Sequence, residues 1–508
     1  MKKVLALLLA LAMIIGLVGC TGSGGGSSTG GDGGKSDGKL DTSKEVELVM
    51  YFISNRPAGQ DIVDENMNKI FKEKLNCTLK VNWISWSDYA NTYNLKLTSG
   101  ENIDMIYTAG WLHFADLAQR GAFKELDDLW PTYAPVNYGK ATDEAKMQAS
   151  VNGHIYCVPT LMATYMGYGP TWRTDILKGT ELEGKQLKNF DDVEKYCEIA
   201  LQVHPEVLPL NLGNNGSEWD DMYMRSLGYF YVDRGSGLWF DPTEENPKII
   251  TLYEEPTIKE FLEMMARWNE KGFFSKSVLS DTEQDKLKKG KAFLTVHNID
   301  TYSGQQTDSN NGVTDFQWDF YDFNKYAAHL PWTQDSMAIP STSKNPERAL
   351  ALWDLITTDQ EAFDAFYYGI KDTTYTLNDK GEVTMLDPDN YGQSGMWAAR
   401  STGIYRDTVG TPQTWHDWHK KWEEQIAKDK TWEQYSGFVL NTEGLDTEVS
   451  NVSNVMTQYW MPLELGLNNN GIDGGLEEFE ANMKTAGIEK LRSEYQKQLD
   501  AYVASIKK

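Results

Sequence analysis

The sequence predicts an α/β protein built as two large lobes, and three observations carry that reading. Residues 45–108 alternate strand and helix patterns in the order that builds a parallel sheet with helices on both faces. The 508 residues are more than one core holds at about 150 residues per domain, and imply about three domains or two large lobes. Hydrophobic residues at 40% and aromatics at 12% supply enough apolar surface for sizeable cores and exclude disorder of the whole chain.

The elements follow in order. Residues 45–53 (EVELVMYFI) alternate and then run apolar, as a strand does when both its faces become covered. Residues 61–75 place Ile62, Val63, Met67, Ile70, Phe71 and Leu75 at helical spacing. A strand over 77–84, a helix over 89–98 and a strand over 103–108 complete the β-α-β-α-β unit. In open sheets of this kind ligands sit beyond the carboxyl ends of the strands. Those ends carry Asn55 and Arg56, then Trp86, then Trp111. Farther on, helices are predicted over 190–203, 258–272 and 345–357, with strands over 292–296 and 336–339. The clearest pieces of a long helical tail are 414–428 and 488–506. No internal repeat is visible.

The amino terminus addresses the compartment. Met1-Lys2-Lys3 is a short basic segment, 4–18 is apolar, and Leu17-Val18-Gly19-Cys20 closes the run. So short a stretch with these flanks reads as a secretory signal over 1–19 rather than a membrane span. Its ending resembles the bacterial lipobox, in which the cysteine, here Cys20, becomes the acylated new terminus. Residues 21–39 are almost all Gly, Ser, Thr, Asp and Lys, a tether with a reach of about 25 Å. Later segments contain no apolar run of the ~18 residues a span requires, which leaves lipid as the anchor. Cys77, Cys157 and Cys197 form no Cys-x-x-Cys pattern; an odd count permits one bridge at most, and the default is three buried thiols. The formal charge of −26 repels phosphate backbones and argues against a nucleic-acid partner.

Motifs then narrow the reading. Ser99-Gly100-Glu101-Asn102-Ile103-Asp104, Phe123 to Leu129 (FKELDDL) and Asn152-Gly153-His154-Ile155-Tyr156-Cys157-Val158-Pro159 occur in that order. Gly290 to Val296 (GKAFLTV) follows, then Ala338-Ile339-Pro340 and Asn345-Pro346-Glu347-Arg348-Ala349. Together they resemble the extracellular solute-binding proteins of bacterial ABC importers, the maltose-type group. Ile103 replaces the usual proline and His154 stands where lysine is common. The segment 368–381, with 437–466 and 486–500, resembles a subgroup assigned to oligosaccharide or aldouronate import, although Lys371-Asp372 departs from its Glu-Gly pair.

The resemblance implies a two-lobe periplasmic-binding-protein-like fold of class II, with hinge-linked lobes and a long helical carboxyl-terminal part. Residues 44–159 with 298–360 would form the amino-terminal lobe and 160–297 with 361–508 the second, crossing near 159, 297 and 360, after a lipid-anchored linker over 20–43. It implies a monomer outside the cytoplasm, lipid-anchored to the cell membrane, that hands its ligand to two permease subunits and their ATPase. No enzyme activity and no cofactor are implied. A peptide-binding lipoprotein is the alternative, and a secreted glycosidase a lesser one; no Gly-x-Ser-x-Gly, His-Glu-x-x-His or P-loop is present.

Sugars present weakly apolar ring faces that stack on flat aromatics and hydroxyls that need directional partners. The chain's 17 tryptophans are therefore the first candidates. Placement at strand ends and in loops, together with the resemblance, nominates Asn55, Trp86, Trp111, Trp172, Glu218, Trp219, Asn298, Asp300, Trp332 and Tyr375. Each has a bland reading as a core or lobe-surface side chain. Trp83, Trp268, Trp353 and Trp415 fall in strand or helix patterns and are assigned to the core. His416, His419 and Glu423 share a helix face with zinc-compatible chemistry, but a solvated polar face beside a core stripe is the favoured reading of them. The loop 387–392 lacks the closing glutamate of a calcium site. Arg56 and Arg173 are the arginines nearest the predicted site. Neutral and acidic sugars both stay open, with the negative charge favouring neutral ones.

Overall fold

The first sheet begins as the apolar pattern dictates. In this computed structural model, which describes residues 40–85, 88–213, 218–283, 286–391, 396–442 and 444–507, β1 (Val46–Ile53) pairs in parallel with β2 (Cys77–Ile84) over the full register from Val46↔Cys77 to Ile53↔Ile84. Between them α1 (Gln60–Leu75) buries Val63, Met67 and Phe71, one face at i, i+4 and i+8. It stops at Asn76, whose left-handed φ of 48° ends the helix. Strand β3 (Met105–Thr108) lies on the other side of β1. Cys20, expected to carry lipid, the expected signal and linker through residue 39, and Trp86 lie outside the described residues.

Six further strands complete two sheets. They are β4 (Cys157–Pro159), β5 (Tyr168–Arg173), β6 (Leu208–Leu210), β7 (Ala292–Asn298), β8 (Trp318–Phe320) and β9 (Ser336–Ala338). The first sheet has the order β2-β1-β3-β9-β4 and the second β8-β5-β7-β6. In the first, β9 runs antiparallel to both neighbours. In the second, β5 is antiparallel to β7, from Leu294↔Trp172 to Asn298↔Tyr168. Each sheet has its own core, one containing Trp130 and Trp353, the other Trp172, Trp219 and Trp268. The second also takes the tail helix Ile488–Ile506, which buries Ile488, Leu491, Tyr495, Leu499 and Val503 along one stripe. From Leu40 onward the chain forms one compact unit.

The chain crosses between the sheets where backbone bonds show it. The segment leaving β4 and the segment entering β9 run side by side: Met166 N–H donates to Ala328 O at 2.9 Å and Leu330 N–H to Thr164 O at 2.8 Å. A third stretch, after Arg400, lies against the first, with Leu161 N–H on Arg400 O at 3.1 Å. It reaches the second sheet where Asn310 donates to Gly410 O at 2.7 Å.

Packing places the segments around these crossings. Residues 298–320 stay with the second sheet, because α2 (Ile299–Asn310) packs with β8 through Tyr302, Trp318 and Phe320. Residues 362–391 and 396–399 stay with the first core, where Phe363, Phe366, Tyr375 and Met396 are buried. The cysteines Cys77, Cys157 and Cys197 are buried and unpaired, and burial pushes the Cys157 thiol up to about 12.

Candidate ligand cleft

Topology sets the facing edges. Strands β1, β3 and β4 finish at one edge of the first sheet, and antiparallel β9 starts there, with Ser336 opposite both Thr108 and Pro159. Strand β7 finishes at Asn298 opposite Tyr168, the first residue of β5. The paired crossings join these two edges, so residues just beyond them surround the junction.

On the first edge Asp335 precedes β9. Its Oδ1 accepts from Tyr107 O–H at 2.6 Å and its Oδ2 from Arg400 Nη2 at 2.9 Å. Burial works against the Arg400 charge, but Asp335 and neighbouring groups outweigh it and hold the guanidinium protonated. Trp111 is half-buried, donates its indole N–H to Gln334 O at 3.3 Å, and meets Tyr89 edge-on with centroids 5.9 Å apart. Half-buried Trp332 is fixed by its backbone N–H on Gln148 at 2.6 Å. Asn55 is exposed past the end of β1.

On the second edge Tyr168 packs 5.7 Å from the His297 ring, with the Arg225 and Arg234 guanidiniums 5.3 and 5.8 Å from its centroid. Arg234, 38% exposed, pairs with Asp221 at 3.1 Å and Glu218 at 3.7 Å. Asp221 also receives Arg225 at 2.9 Å. Burial, then the neighbouring Asp221 charge, raise Asp220 to about 6; it accepts from the Trp460 indole at 2.9 Å.

At the crossing itself Tyr165 donates to Glu423 at 2.7 Å and packs 4.9 Å from the His329 ring. His329 meets Glu433 at 2.9 Å and Glu423 at 3.4 Å. Burial alone would lower its pKa, yet the two carboxylates raise it. Helix α3 (Gln413–Lys428) supplies Trp415, whose indole donates to Asp300 at 2.9 Å. Asp300, exposed in the first turn of α2, is also within electrostatic reach of Arg400, so the two edges feel each other.

The nominated residues divide. Trp111, Trp332, Asn55, Glu218, Asn298 and Asp300 lie at the facing edges, although the Asn298 side chain caps α2 by accepting from Thr301 N–H at 3.2 Å. Trp172 (0% exposed), Trp219 (1%) and Tyr375 (4%) are core residues. Trp172 sits mid-strand in β5 against Tyr196, and Trp219 packs edge-on to Trp268. A single chain position cannot tell a strand-end plate from a strand-centre one. Arg173 is likewise committed to Asp175 at 2.6 Å. Trp268 and Trp353 are fully buried as expected, Trp83 partly so, and Trp415 is half-buried beside Asp300.

His416, His419 and Glu423 form no ligand set: His419 bonds the Trp415 carbonyl at 2.7 Å and Glu423 takes Tyr165 and His329. Among the described residues the group with metal-compatible spacing is Glu125, Asp127 and His154, all exposed.

Sequence reasoning missed Tyr165, Tyr168, Arg234, His329, Asp335 and Arg400. Asp335 lies just before an antiparallel strand and Tyr168 starts one, so a search of carboxyl ends alone passes them by. The only local signal was a polar or aromatic residue immediately before a short apolar strand.

A family model described as bacterial extracellular solute-binding protein matches residues 55–363, more than half of the chain. The chain belongs to that family. A second model, a domain of unknown function (DUF3502), matches 434–504. Among relatives, a carbohydrate ABC transporter substrate-binding protein of Streptococcus pneumoniae serotype 4 is 25% identical over 484 residues, covering 93% of this chain and 94% of that one. Lipoprotein LipO of Bacillus subtilis is 25% identical over 349 residues, covering 61% and 64%. The crystal structure of an N-glycan transport solute binding protein (NgtS) from Streptococcus pneumoniae with Man1GlcNAc superposes with a TM-score of 0.74 at 20% identity, over 91% of this chain and 100% of that chain. The family's two-lobe α/β fold is thus the fold of this chain.

Proposed function

We propose that this solute-binding protein serves a carbohydrate ABC transporter, capturing an oligosaccharide between its two lobes and delivering it to a membrane permease. The observation that carries the reading is the set of partly exposed aromatics, Trp111, Tyr165, Tyr168 and Trp332, interleaved with Asp300, Glu218 and Asn55 around the crossing. Flat apolar plates alternate there with directional acceptors, the combination a sugar's ring faces and hydroxyls require. The names of the full-length relative and of the superposed structure support the same ligand class.

The three adjacent crossing segments would act as the hinge, with the lobes closing on ligand. Capture, not turnover, is the proposed action. Two permease subunits and an ATPase are the proposed partners, the protein acting as a monomer outside the cytoplasm, anchored through lipid on Cys20. Among the described residues no helix is long and apolar enough to cross a membrane.

The test is the melting temperature and tryptophan emission of the chain from Leu40 against oligosaccharides, with di- and tripeptides as controls. A ligand that binds only the folded state raises the melting temperature. A rise with a sugar series supports the reading; a rise with peptides alone ends it.

A further inference from the structure

Among the described residues, the cations named at the facing edges have acidic partners. Arg400 is bonded to Asp335 at 2.9 Å, Arg225 to Asp221 at 2.9 Å, and Arg234 is shared by Asp221 at 3.1 Å and Glu218 at 3.7 Å. Arg56, past β1, is held by Asp61 and Asp64 at 2.5 and 3.3 Å. Lys286, buried beyond β6, is on Asp281 at 2.6 Å and on the Leu212 carbonyl at 2.5 Å. His329 has Glu433 and Glu423. The acidic groups there outnumber what neutralisation needs: Arg225 and Arg234 share Asp221, with Glu218 and Asp220 beside them, and exposed Asp300 receives a neutral indole.

We propose that the cleft is selective for neutral oligosaccharides and rejects uronic acids and other anionic ligands. The inference rests on the oligosaccharide reading above. A ligand carboxylate is recognised by the two-pronged donor face of an arginine. Here Arg400 Nη2 and Arg225 Nε are already bonded to the buried carboxylates of Asp335 and Asp221, with which a ligand carboxylate would have to compete. It would also approach Asp300 and Glu218 as a like charge, in the field of a chain of net charge −26. A neutral hydroxyl meets no such cost. It donates to Asp300 or Glu218, while the ring lies on Trp111 or Tyr168. The same pairing excludes phosphorylated sugars and the free carboxylate end of a peptide.

Calorimetric titration of the chain from Leu40 decides the point. Probes are trimers of manno-, xylo- and gluco-oligosaccharides and mannose–N-acetylglucosamine oligomers, against tri-galacturonate, an aldouronate trimer and a tripeptide. The expected result is binding of at least one neutral series, with both acidic trimers at least a hundredfold weaker. Binding of an acidic trimer as tight as any neutral one overturns the proposal while leaving the oligosaccharide reading intact. Binding of the tripeptide alone sinks both.

Two variants probe the cause. Glu218→Gln loosens Arg234, and Asp335→Asn frees Arg400 should the first pair prove peripheral; circular dichroism verifies that each is folded. At least one is expected to gain tenfold or more in affinity for an acidic trimer. Two folded variants with no gain would refute charge pairing as the source of selectivity.

Discussion

Arg400 and Asp335 are joined at 2.9 Å at the edge of the first sheet, with side chains only 11% and 7% exposed. Tyr107 completes the group by donating to the other Asp335 oxygen at 2.6 Å. The pair ties the segment at Arg400 to the residue just before β9, so it is structural.

Removing one partner of a buried ion pair leaves the other uncompensated. Arg400→Met is therefore expected to destabilise the protein by about 3–5 kcal/mol. Tyr107→Phe, which removes one hydrogen bond to a carboxylate, is expected to cost about 1.5–3 kcal/mol. Urea denaturation midpoints at fixed slope measure both, and a larger loss for Tyr107→Phe would contradict the assignment.

The tryptophans should separate by role. Trp172→Ala empties a core site and is expected to cost about 3–5 kcal/mol. Trp111→Ala removes a half-buried plate, so its unliganded melting temperature should change much less while affinity for a bound oligosaccharide falls tenfold or more. Parallel denaturation and titration of the two variants check this.

Gly169 marks a close backbone approach. A Cβ there would lie 1.8 Å from the Tyr321 carbonyl oxygen, where Tyr321 and Phe323 pair with β5. Gly169→Ala should cost about 1–3 kcal/mol. Gly139, inside the helix Pro135–Lys140, has nothing within 4 Å of its Cβ position, so Gly139→Ala should stabilise by roughly 0.5–1 kcal/mol. Equal effects at the two sites would rule out the steric account.

Two carboxylates give opposite pH dependences. Burial raises Asp322 from 3.8 to about 7, against hydrogen bonds from Asn324 N–H and the Trp422 indole. The folded state holds that proton while the unfolded chain has released it, so the contribution is greatest at low pH and is lost as pH rises through this window. Glu194 is lowered from 4.5 to about 2, chiefly by Arg267, against burial and with help from Lys271 and Trp268. Its contribution is present above the unfolded value and is lost as pH falls toward 2. Melting curves from pH 2 to 8 should show Asp322→Asn flattening the decline above pH 4 and Glu194→Gln flattening the acid limb. No change of shape in either variant would contradict these shifts.

The amino-terminal β-α-β-α-β unit, the helices with apolar stripes and the order of motifs were legible along the chain. Val63, Met67 and Phe71 face one way because a helix repeats every 3.6 residues, whatever lies opposite. The same holds for Leu491, Tyr495 and Leu499 in the tail. Positions were legible too: Trp111 and Asp300 follow strands whose carboxyl ends can be read from pattern alone.

What the sequence by itself determined was therefore local: periodicity, the ends of parallel strands, and the family through its ordered motifs. Tertiary structure alone decided that Trp172 and Trp219 fill a core and that Arg400 pairs with Asp335 and Arg225 with Asp221. The physical reason is range. Arg400 meets Asp335 across 65 residues and Trp415 meets Asp300 across 115. Contacts at such separations depend on which sheet edges the fold brings together, and nothing in the neighbouring residues records them.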